Sequence, residues 1–189
     1  MVRIYTKKGD DGTTSLWYGG HRPKSDPRVD AYGAVDEAGS ALGVGRALCG
    51  PGDAELAADI LAMQRDLFVA GAELASAPEA AGRLEDGVSR VTDAMVAALE
   101  PRIDAYMDRV DLPPKFVIAG GTQLSAQLDV ARAAIRRAER RVVELHEAGG
   151  LASEDPQAVL RYLNRASDLA YAMARFADEP DPELFEGRG

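Results

Sequence analysis

The stretch TQLSAQLDVARAAIRRAERRVVELH, residues 122–146, repeats apolar residues at the spacing of an amphipathic α-helix. The apolar positions are Leu124, Leu128, Ala131, Ile135, Ala138, Val142 and Leu145. Gly149 and Gly150 follow and predict its end. Because such a stripe must be buried against other elements, the stretch predicts one helix of a larger bundle.

Other segments on both sides of this stretch show the same periodicity. They are residues 27–49, 53–77, 86–110 and 156–177. Gly50-Pro51-Gly52 and Pro113-Pro114 separate some of them, and Pro101 predicts a kink in the third. Together with 122–146, these helices and their short connections predict an all-α fold, a five-helix antiparallel bundle.

The two ends of the chain lack this pattern. Residues 1–26 are rich in glycine and threonine, which predicts an ordered loop or a flexible arm. Residues 179–189 are rich in acidic residues and proline, which predicts a disordered, flexible tail. No repeat or second domain is evident, so we expect a single domain over residues 1–178.

Composition narrows the functional classes. With 189 residues, 46% of them hydrophobic, the chain can bury a core without cross-links. One cysteine, Cys49, and two histidines, His21 and His146, do not suffice for a disulfide framework or an ordinary zinc site. A net charge of −9 argues against nucleic-acid binding, and no apolar run reaches the roughly 18 residues needed to cross a membrane. The N-terminus also lacks an apolar signal segment, so we expect a cytoplasmic protein.

Positive charge is concentrated in two short segments. Residues 1–25 carry five basic and two acidic side chains, a net +3, and residues 132–141 carry five arginines and one glutamate, a net +4. Two small basic segments in an acidic protein suit a compact polyanion, such as a nucleoside triphosphate, better than a long polymer.

The first basic segment contains TKKGDDGTT, residues 6–14. Glycines allow close approach of the backbone, threonines offer hydroxyls and lysines offer charge, so the loop could wrap phosphates. It is not a Walker A sequence, and an ordinary solvated turn is an equally good interpretation of the segment alone. Lys24 could close over the same anion, although a lone lysine is usually a surface residue.

The second basic segment lies on the predicted fourth helix. Arg132, Arg136, Glu139 and Arg140 share one flank beside its apolar stripe. A solvated charged face is the common alternative, but clustered arginines repel one another unless anions lie nearby, which favours an anion site. On the predicted fifth helix, Asn164 is four residues from Asp168 and could face the same cleft; by itself such an asparagine usually faces solvent.

Taken together, these segments resemble the PduO-type ATP:cob(I)alamin adenosyltransferases along nearly the whole chain. The motifs that carry the resemblance are Thr6-x-x-Gly9-Asp10-x-Gly12-x-Thr14, DAYGAVDE (30–37), FVIAGG (116–121), RRAERR (136–141) and YLNR (162–165). One departure is Ala119, where the family commonly has proline.

The resemblance implies a homotrimer of helical bundles with active sites between subunits, ATP bound with Mg²⁺, and cobalamin as the second substrate. It also implies a flavin-type reductase and a cobalamin-dependent recipient enzyme as partners. Mg²⁺ would be held mainly by phosphate oxygens, with few or no ligands from the protein. The nucleotide-binding residues implied are Thr6, Lys7, Gly9, Asp10, Gly12, Thr13, Thr14, Lys24, Arg136, Glu139, Arg140 and Asn164. Asp36 and Arg132 match an ion pair across the subunit boundary, and Phe116 matches an aromatic residue against the lower face of the corrin. With Arg136, these three are the implied catalytic residues.

Two other functions stay open at this level. A phosphotransferase could use the same basic residues on ATP, but the sequence has no obvious base to activate an acceptor. A non-catalytic helical scaffold or cobalamin carrier would make the basic segments incidental. From the residues alone, Phe116 is also more simply explained as a buried hydrophobic residue before a glycine turn.

Overall fold

A computed structural model describes residues 5–153, 155–178, 180 and 182–187. The α-helices in this part of the chain are α1 Pro27–Leu48, α2 Ala54–Leu74, α3 Asp93–Ala97, α4 Glu100–Met107, α5 Gln123–Glu147 and α6 Ala158–Phe176. A 3₁₀ helix, Pro78–Arg83, follows α2, and two short strands, β1 Thr13–Ser15 and β2 His21–Pro23, precede α1. The predicted all-α fold is confirmed.

The bundle is built around α5. This helix packs against α1 on one side and α6 on the other, while α2 packs on α1 and α4 packs on α6. Ion pairs from Arg141 to Asp30 and from Arg137 to Glu37 show that α1 and α5 run antiparallel. Ala38 and Ala138 are fully buried and bring the helix backbones close, while larger side chains fill the remaining core.

The sequence encodes the starts of the two helices that matter most for the site. The Asp26 side chain accepts a hydrogen bond from the Arg28 N–H, and Pro27 occupies the first turn of α1. Thr122 and Ser125 form a reciprocal capping box at the start of α5. Both helices therefore begin where the sequence predicts.

The prediction of one kinked third helix over 86–110 is wrong. Residues 86–91 form a turn in which Gly87 has φ of 71°, and α3 begins only after Thr92, whose hydroxyl accepts from the Met95 N–H. Pro101 lies in the first turn of α4, where its missing N–H costs nothing. The proline therefore starts a new helix instead of kinking a continuous one.

The N-terminal arm, residues 5–26 among those described, is an ordered loop closed by a hairpin. Strands β1 and β2 are antiparallel, with Thr14 opposite Arg22. Gly19 and Gly20 have φ of 98° and 89°, which a side chain would disfavour, and they turn the chain between the strands. The hairpin leads directly into the capped start of α1.

The described residues of the C-terminal tail also form defined contacts, unlike the disorder expected from composition. The Ile118 N–H donates to the Glu183 carbonyl at 2.8 Å, and the Phe185 N–H donates to the Phe116 carbonyl at 2.8 Å. An ion pair of 2.7 Å joins Lys115 to Glu186. The extended stretch before α5 has backbone N–H and C=O groups that no helix hydrogen bond satisfies. The backbone of the tail supplies the missing hydrogen-bond partners.

None of the described helices is long and apolar enough to cross a membrane.

A buried carboxyl on α2 predicts how the fold responds to pH. Glu73 is 1% exposed and accepts a hydrogen bond from the Val91 N–H at 2.6 Å. Burial raises the pKa of Glu73 from an ordinary 4.5 to about 7, despite this hydrogen bond. Because the folded state holds the proton more tightly, the free energy of unfolding falls as pH rises from the unfolded pKa through about 7.

The Glu73→Gln variant cannot titrate at this position and should not show this loss. Between pH 5 and pH 8 the native protein should lose about 2 to 3 kcal/mol relative to the variant. Urea unfolding of both proteins at the two pH values measures the difference, in which the other titrating groups cancel. Parallel pH dependences would show that Glu73 does not titrate in this range.

Candidate active site

The loop that precedes β1 is folded around Lys24. The Lys24 side-chain ammonium donates to the Gly9 carbonyl at 2.8 Å, and the Lys24 backbone N–H donates to the Gly12 carbonyl at 2.8 Å. Asp11 accepts from the Thr13 N–H at 2.9 Å and from the Thr13 hydroxyl at 2.7 Å. The hydrogen bonds from Thr13 lower the pKa of Asp11, which therefore stays ionised. Sequence reasoning missed Asp11, although its position two residues before a threonine is typical of such a turn.

Most of this loop remains open to solvent. Thr6, Lys7, Asp10 and Gly12 are exposed, and Lys7 adopts a positive φ of 62°. Gly12 has a φ of 84°, so a side chain there would strain the loop. The backbone geometry thus presents Lys7 and Asp10 outward, with Lys24 held beneath Gly9.

Lys24 also lines an open groove of about 470 Å³ between the start of α1 and the end of α5. The arginines of this groove are paired with carboxylates: Arg137 with Glu37, and Arg141 with Asp30 at 2.9 Å. These two arginines fasten α5 to α1, and their charge is already neutralised.

Arg136 and Arg140 have different surroundings. Both are exposed, and neither has an ion-pair partner among the described residues. Beside them, the Asn164 amide donates to Glu139 Oε1 at 3.2 Å, and Arg165 donates to Asn164 Oδ1 at 2.8 Å. The structure thus brings together four predicted residues, two free cations next to an oriented amide and carboxylate.

Asp168 lies four residues, about one helical turn, after Asn164 and is exposed. Its Oδ2 atom lies 3.8 Å from the guanidinium of Arg165. Arg165 therefore contacts both Asn164 and Asp168. The sequence motif had indicated only the spacing of these residues, and the bridging arginine explains why the Asn164 side chain has a fixed orientation.

The predicted nucleotide-binding residues lie on two parts of the described chain, the arm and the α5–α6 pair. Arg137 and Arg141 face α1, whereas Glu139 faces α6, so Arg136 and Arg140 project outward between these neighbours. In the described part of the chain, no hydrogen bond or ion pair joins residues 6–24 to Arg136, Glu139, Arg140 or Asn164. Within the described chain these residues therefore form two groups, one on the arm and one on α5 and α6.

Asp36 and Arg132 are also apart. Arg132 pairs with Asp129 of its own helix at 3.2 Å. Asp36 is exposed on α1 and lines an apolar cavity of about 660 Å³ between α1 and α2, with Trp17 and Phe68 on the same cavity wall. Within the described chain the two residues do not form an ion pair.

Phe116 is 82% exposed, which rules out its interpretation as a buried hydrophobic residue. Phe185 of the tail is bonded to it through the backbone and is 55% exposed. The two exposed rings lie on segments joined by an isolated β-bridge between Val117 and Leu184, and such exposed apolar surface often marks a binding site. Sequence reasoning missed Phe185 because it is far from Phe116 in the sequence, and only the fold brings the two residues together.

The described residues do not include a cluster of three or more histidine, cysteine or acidic side chains that could hold a metal ion.

The profile of the cobalamin adenosyltransferase family matches residues 4–177. The chain belongs to this family. It is 43% identical over 184 residues to a corrinoid adenosyltransferase of Citrobacter freundii, covering 97% of this chain and 99% of that protein. It is 41% identical over 176 residues to a corrinoid adenosyltransferase of Bacillus subtilis, covering 92% of this chain and 86% of that protein.

Solved structures of the same family share the fold. A phenylalanine-to-alanine variant of a PduO-type ATP:corrinoid adenosyltransferase from Lactobacillus reuteri, complexed with cobalamin and ATP, superposes with a TM-score of 0.85 at 35% identity. The match covers 98% of this chain and 100% of that one. An arginine-to-lysine variant complexed with ATP superposes with a TM-score of 0.84, at 34% identity, over 97% of this chain and 100% of that one. Membership of the cobalamin adenosyltransferases thus rests on sequence and fold together.

Proposed function

We propose that this protein transfers the 5′-deoxyadenosyl group of ATP to cob(I)alamin, forming adenosylcobalamin and releasing triphosphate. The observation that carries the proposal is the pair of exposed, unpaired arginines, Arg136 and Arg140, beside the fixed Asn164–Glu139 pair. In a chain with a net charge of −9 and otherwise paired arginines on α5, such free cations need an anionic ligand.

The reaction requires no base from the protein. The electron pair of cobalt(I) forms the cobalt–carbon bond at the ribose 5′-carbon, and the bond from this carbon to oxygen breaks with its electrons going to triphosphate. Arg136, Arg140 and Lys24 stabilise the charge that grows on the leaving group, because they are aimed at it before the reaction begins.

The remaining polar residues hold the nucleotide. Thr6, Gly9 and Gly12 allow the arm to wrap the phosphates, and Thr13 and Thr14 continue it into β1. On the bundle, Asn164 and Glu139 offer an amide and a carboxylate in fixed orientation to the nucleotide's own donors and acceptors. Mg²⁺ comes with ATP and is held by phosphate oxygens, since such ions keep few protein ligands at these sites.

Phe116 provides the surface for the second substrate. Its ring is exposed on an extended segment whose backbone is hydrogen-bonded to the tail. The ring can therefore pack against the lower face of a corrin. An apolar ring there displaces the axial ligand of cobalt, and this loss raises the reduction potential of cobalt(II). A weak reductant can then supply cobalt(I).

We further propose that the active protein is a homotrimer whose sites form between subunits. Each chain would contribute two half-sites, one on the arm and one on α5 and α6. What supports this is that no hydrogen bond or ion pair joins the arm to Arg136, Glu139, Arg140 or Asn164 in the described part of one chain. An ion pair between Asp36 of one subunit and Arg132 of the next fixes that interface. We also propose that the protein lies in the cytoplasm. A flavin-type reductase would reduce the cobalamin, and a cobalamin-dependent enzyme would receive the adenosylcobalamin.

Mixing two inactive variants tests whether sites are shared. Lys24→Met removes a cation from the arm, and Arg136→Ala removes one from α5, so each homotrimer should be nearly inactive. Random trimers refolded or co-expressed from equal amounts contain intact sites in about one quarter of positions. Activity should recover to about that fraction in a steady-state assay.

A mixture as inactive as its separate components would place both half-sites in the same subunit. The control is a mixture of two Arg136→Ala samples carrying different affinity tags, in which every α5 half-site is defective. That mixture should stay inactive while confirming that subunits exchange.

The phosphate product separates this function from the other candidates. Incubation with ATP and chemically reduced cobalamin should yield triphosphate, identified by phosphorus NMR. Diphosphate with a phosphorylated acceptor would identify a phosphotransferase. Cobalamin binding with ATP left intact would identify a carrier.

A further inference from the structure

We infer that Tyr18 and Arg83 form a tether that positions the N-terminal arm for ATP. Arg83 at the end of the 3₁₀ helix donates to the Tyr18 carbonyl at 2.8 Å, and its guanidinium lies 4.5 Å from the centre of the Tyr18 ring. The Tyr18 hydroxyl shares a hydrogen bond of 3.0 Å with Ser89. Both residues are therefore positioning residues, and the inference rests on the proposed binding of ATP by the arm.

The tether acts at the turn of the hairpin, away from the loop that faces the nucleotide. The Trp17 N–H donates to the Ala75 carbonyl at 3.0 Å, and Leu16 is buried at 5% exposure. These contacts attach the turn to the end of α2 and to the segment that follows it. The other end of the hairpin carries Lys24, which holds Gly9 and Gly12.

The tether fixes the orientation of the hairpin, and the hairpin carries Lys24, which holds the binding loop. Strands β1 and β2 pair over only three residues each, too short a hairpin to be stable alone. Without the contacts of Tyr18, the hairpin would lose its fixed direction relative to α1, and Lys24 would lose its fixed place at the mouth of the groove. ATP would then have to order the arm as it binds, which weakens binding without changing the chemistry of transfer.

The tether is attached to a segment that is itself held by internal hydrogen bonds. Ser89 is 1% exposed and accepts from the Glu85 N–H at 3.0 Å, so its hydroxyl is fixed within the turn before α3. Arg90 donates to the Ala81 carbonyl at 3.1 Å and closes this turn onto the 3₁₀ helix. The segment 78–91 is therefore a rigid support, and Tyr18 is the arm residue that contacts it through both ring and hydroxyl.

The test compares the native protein with the double variant Tyr18→Ala/Arg83→Gln. The Kd and KM for Mg-ATP should rise about tenfold, because two hydrogen bonds and the ring contact are lost. The kcat at saturating ATP and the KM for reduced cobalamin should each stay within about twofold. Hydrogen exchange without nucleotide should become faster in residues 13–24 and remain unchanged in α1.

Two further variants separate positioning from general damage. Arg83→Lys, with Tyr18 intact, keeps a positive charge beside the ring and should retain more ATP affinity than the double variant. Arg65→Gln removes an exposed arginine of α2 and should change none of these values. A melting temperature of the double variant close to that of the native protein shows that the bundle is intact.

An unchanged Kd for ATP in the double variant would overturn the inference. Equal rises in both KM values together with a lower melting temperature would also overturn it, because they show a purely structural role. Failure of the native protein to form adenosylcobalamin would instead count against the proposed function. The ATP-binding and exchange measurements need no turnover, so they still decide whether the tether positions the arm.

Discussion

Replacing Arg136 with alanine is expected to lower kcat/KM for ATP at least a hundredfold while leaving the bundle folded. Arg136 is exposed and makes no ion pair with the described residues, so its removal costs the core nothing. A lost charge-assisted contact to phosphate costs about 1.5 to 3 kcal/mol, and the growing charge on triphosphate adds to that loss in the transition state. Steady-state kinetics and a melting curve measure both parts of the prediction.

The neighbouring Arg137 provides a matched control. It has the same side chain one position away, but it pairs with Glu37 on α1. Arg137→Ala should therefore change kcat/KM by less than about fivefold, because the lost contact is a partly exposed ion pair. Similar losses in the two variants would mean that total positive charge on α5 matters and that Arg136 has no specific role. Near-native turnover of Arg136→Ala would remove it from the site.

Replacing Phe116 with alanine is expected to abolish most activity when cobalt(II) must be reduced on the enzyme. The ring is 82% exposed, so its function is to contact a ligand and not to fill the core. Without it, water or another ligand can occupy the lower axial position, and the reduction potential of cobalt(II) falls out of reach of a weak reductant. We expect at least a tenfold loss in a coupled assay with a reduced flavin.

The same variant should lose much less activity when cobalt(I) is supplied chemically. The Kd for ATP and the melting temperature should stay close to native, because Phe116 contacts neither the proposed nucleotide site nor the core. Equal losses with cobalt(II) and cobalt(I) would show that the ring only binds corrin. Unchanged activity in both assays would show that the ring does not face cobalamin.

Long helices could be predicted from the sequence because their signals are local. Residues 122–146 carry an apolar stripe with a capping threonine, and the structure has α5 at Gln123–Glu147. The prediction for residues 86–110 was wrong because their apolar spacing is compatible with one helix. In the structure Gly87 lies in a turn, and Pro101 lies in the first turn of a new helix. Periodicity alone does not show where a proline begins a helix.

The candidate site could be predicted only as a set of residue types. The sequence shows five arginines between 132 and 141, but tertiary packing decides that Arg137 and Arg141 are paired while Arg136 and Arg140 are free. The contact between Phe116 and Phe185 and that between Tyr18 and Arg83 join segments that are far apart in the chain. No local pattern encodes such contacts, so they become visible only in the fold.

In the proposed reaction the ribose 5′-carbon of ATP becomes bonded to cobalt. The most direct test supplies ATP labelled with ¹³C at this carbon, together with chemically reduced cobalamin, and follows the label by carbon NMR. The label should appear in a light-sensitive cobalt–carbon bond, with one triphosphate released for each labelled cobalamin. Label that remains in ATP, ADP or free adenosine while cobalamin stays unlabelled would contradict it.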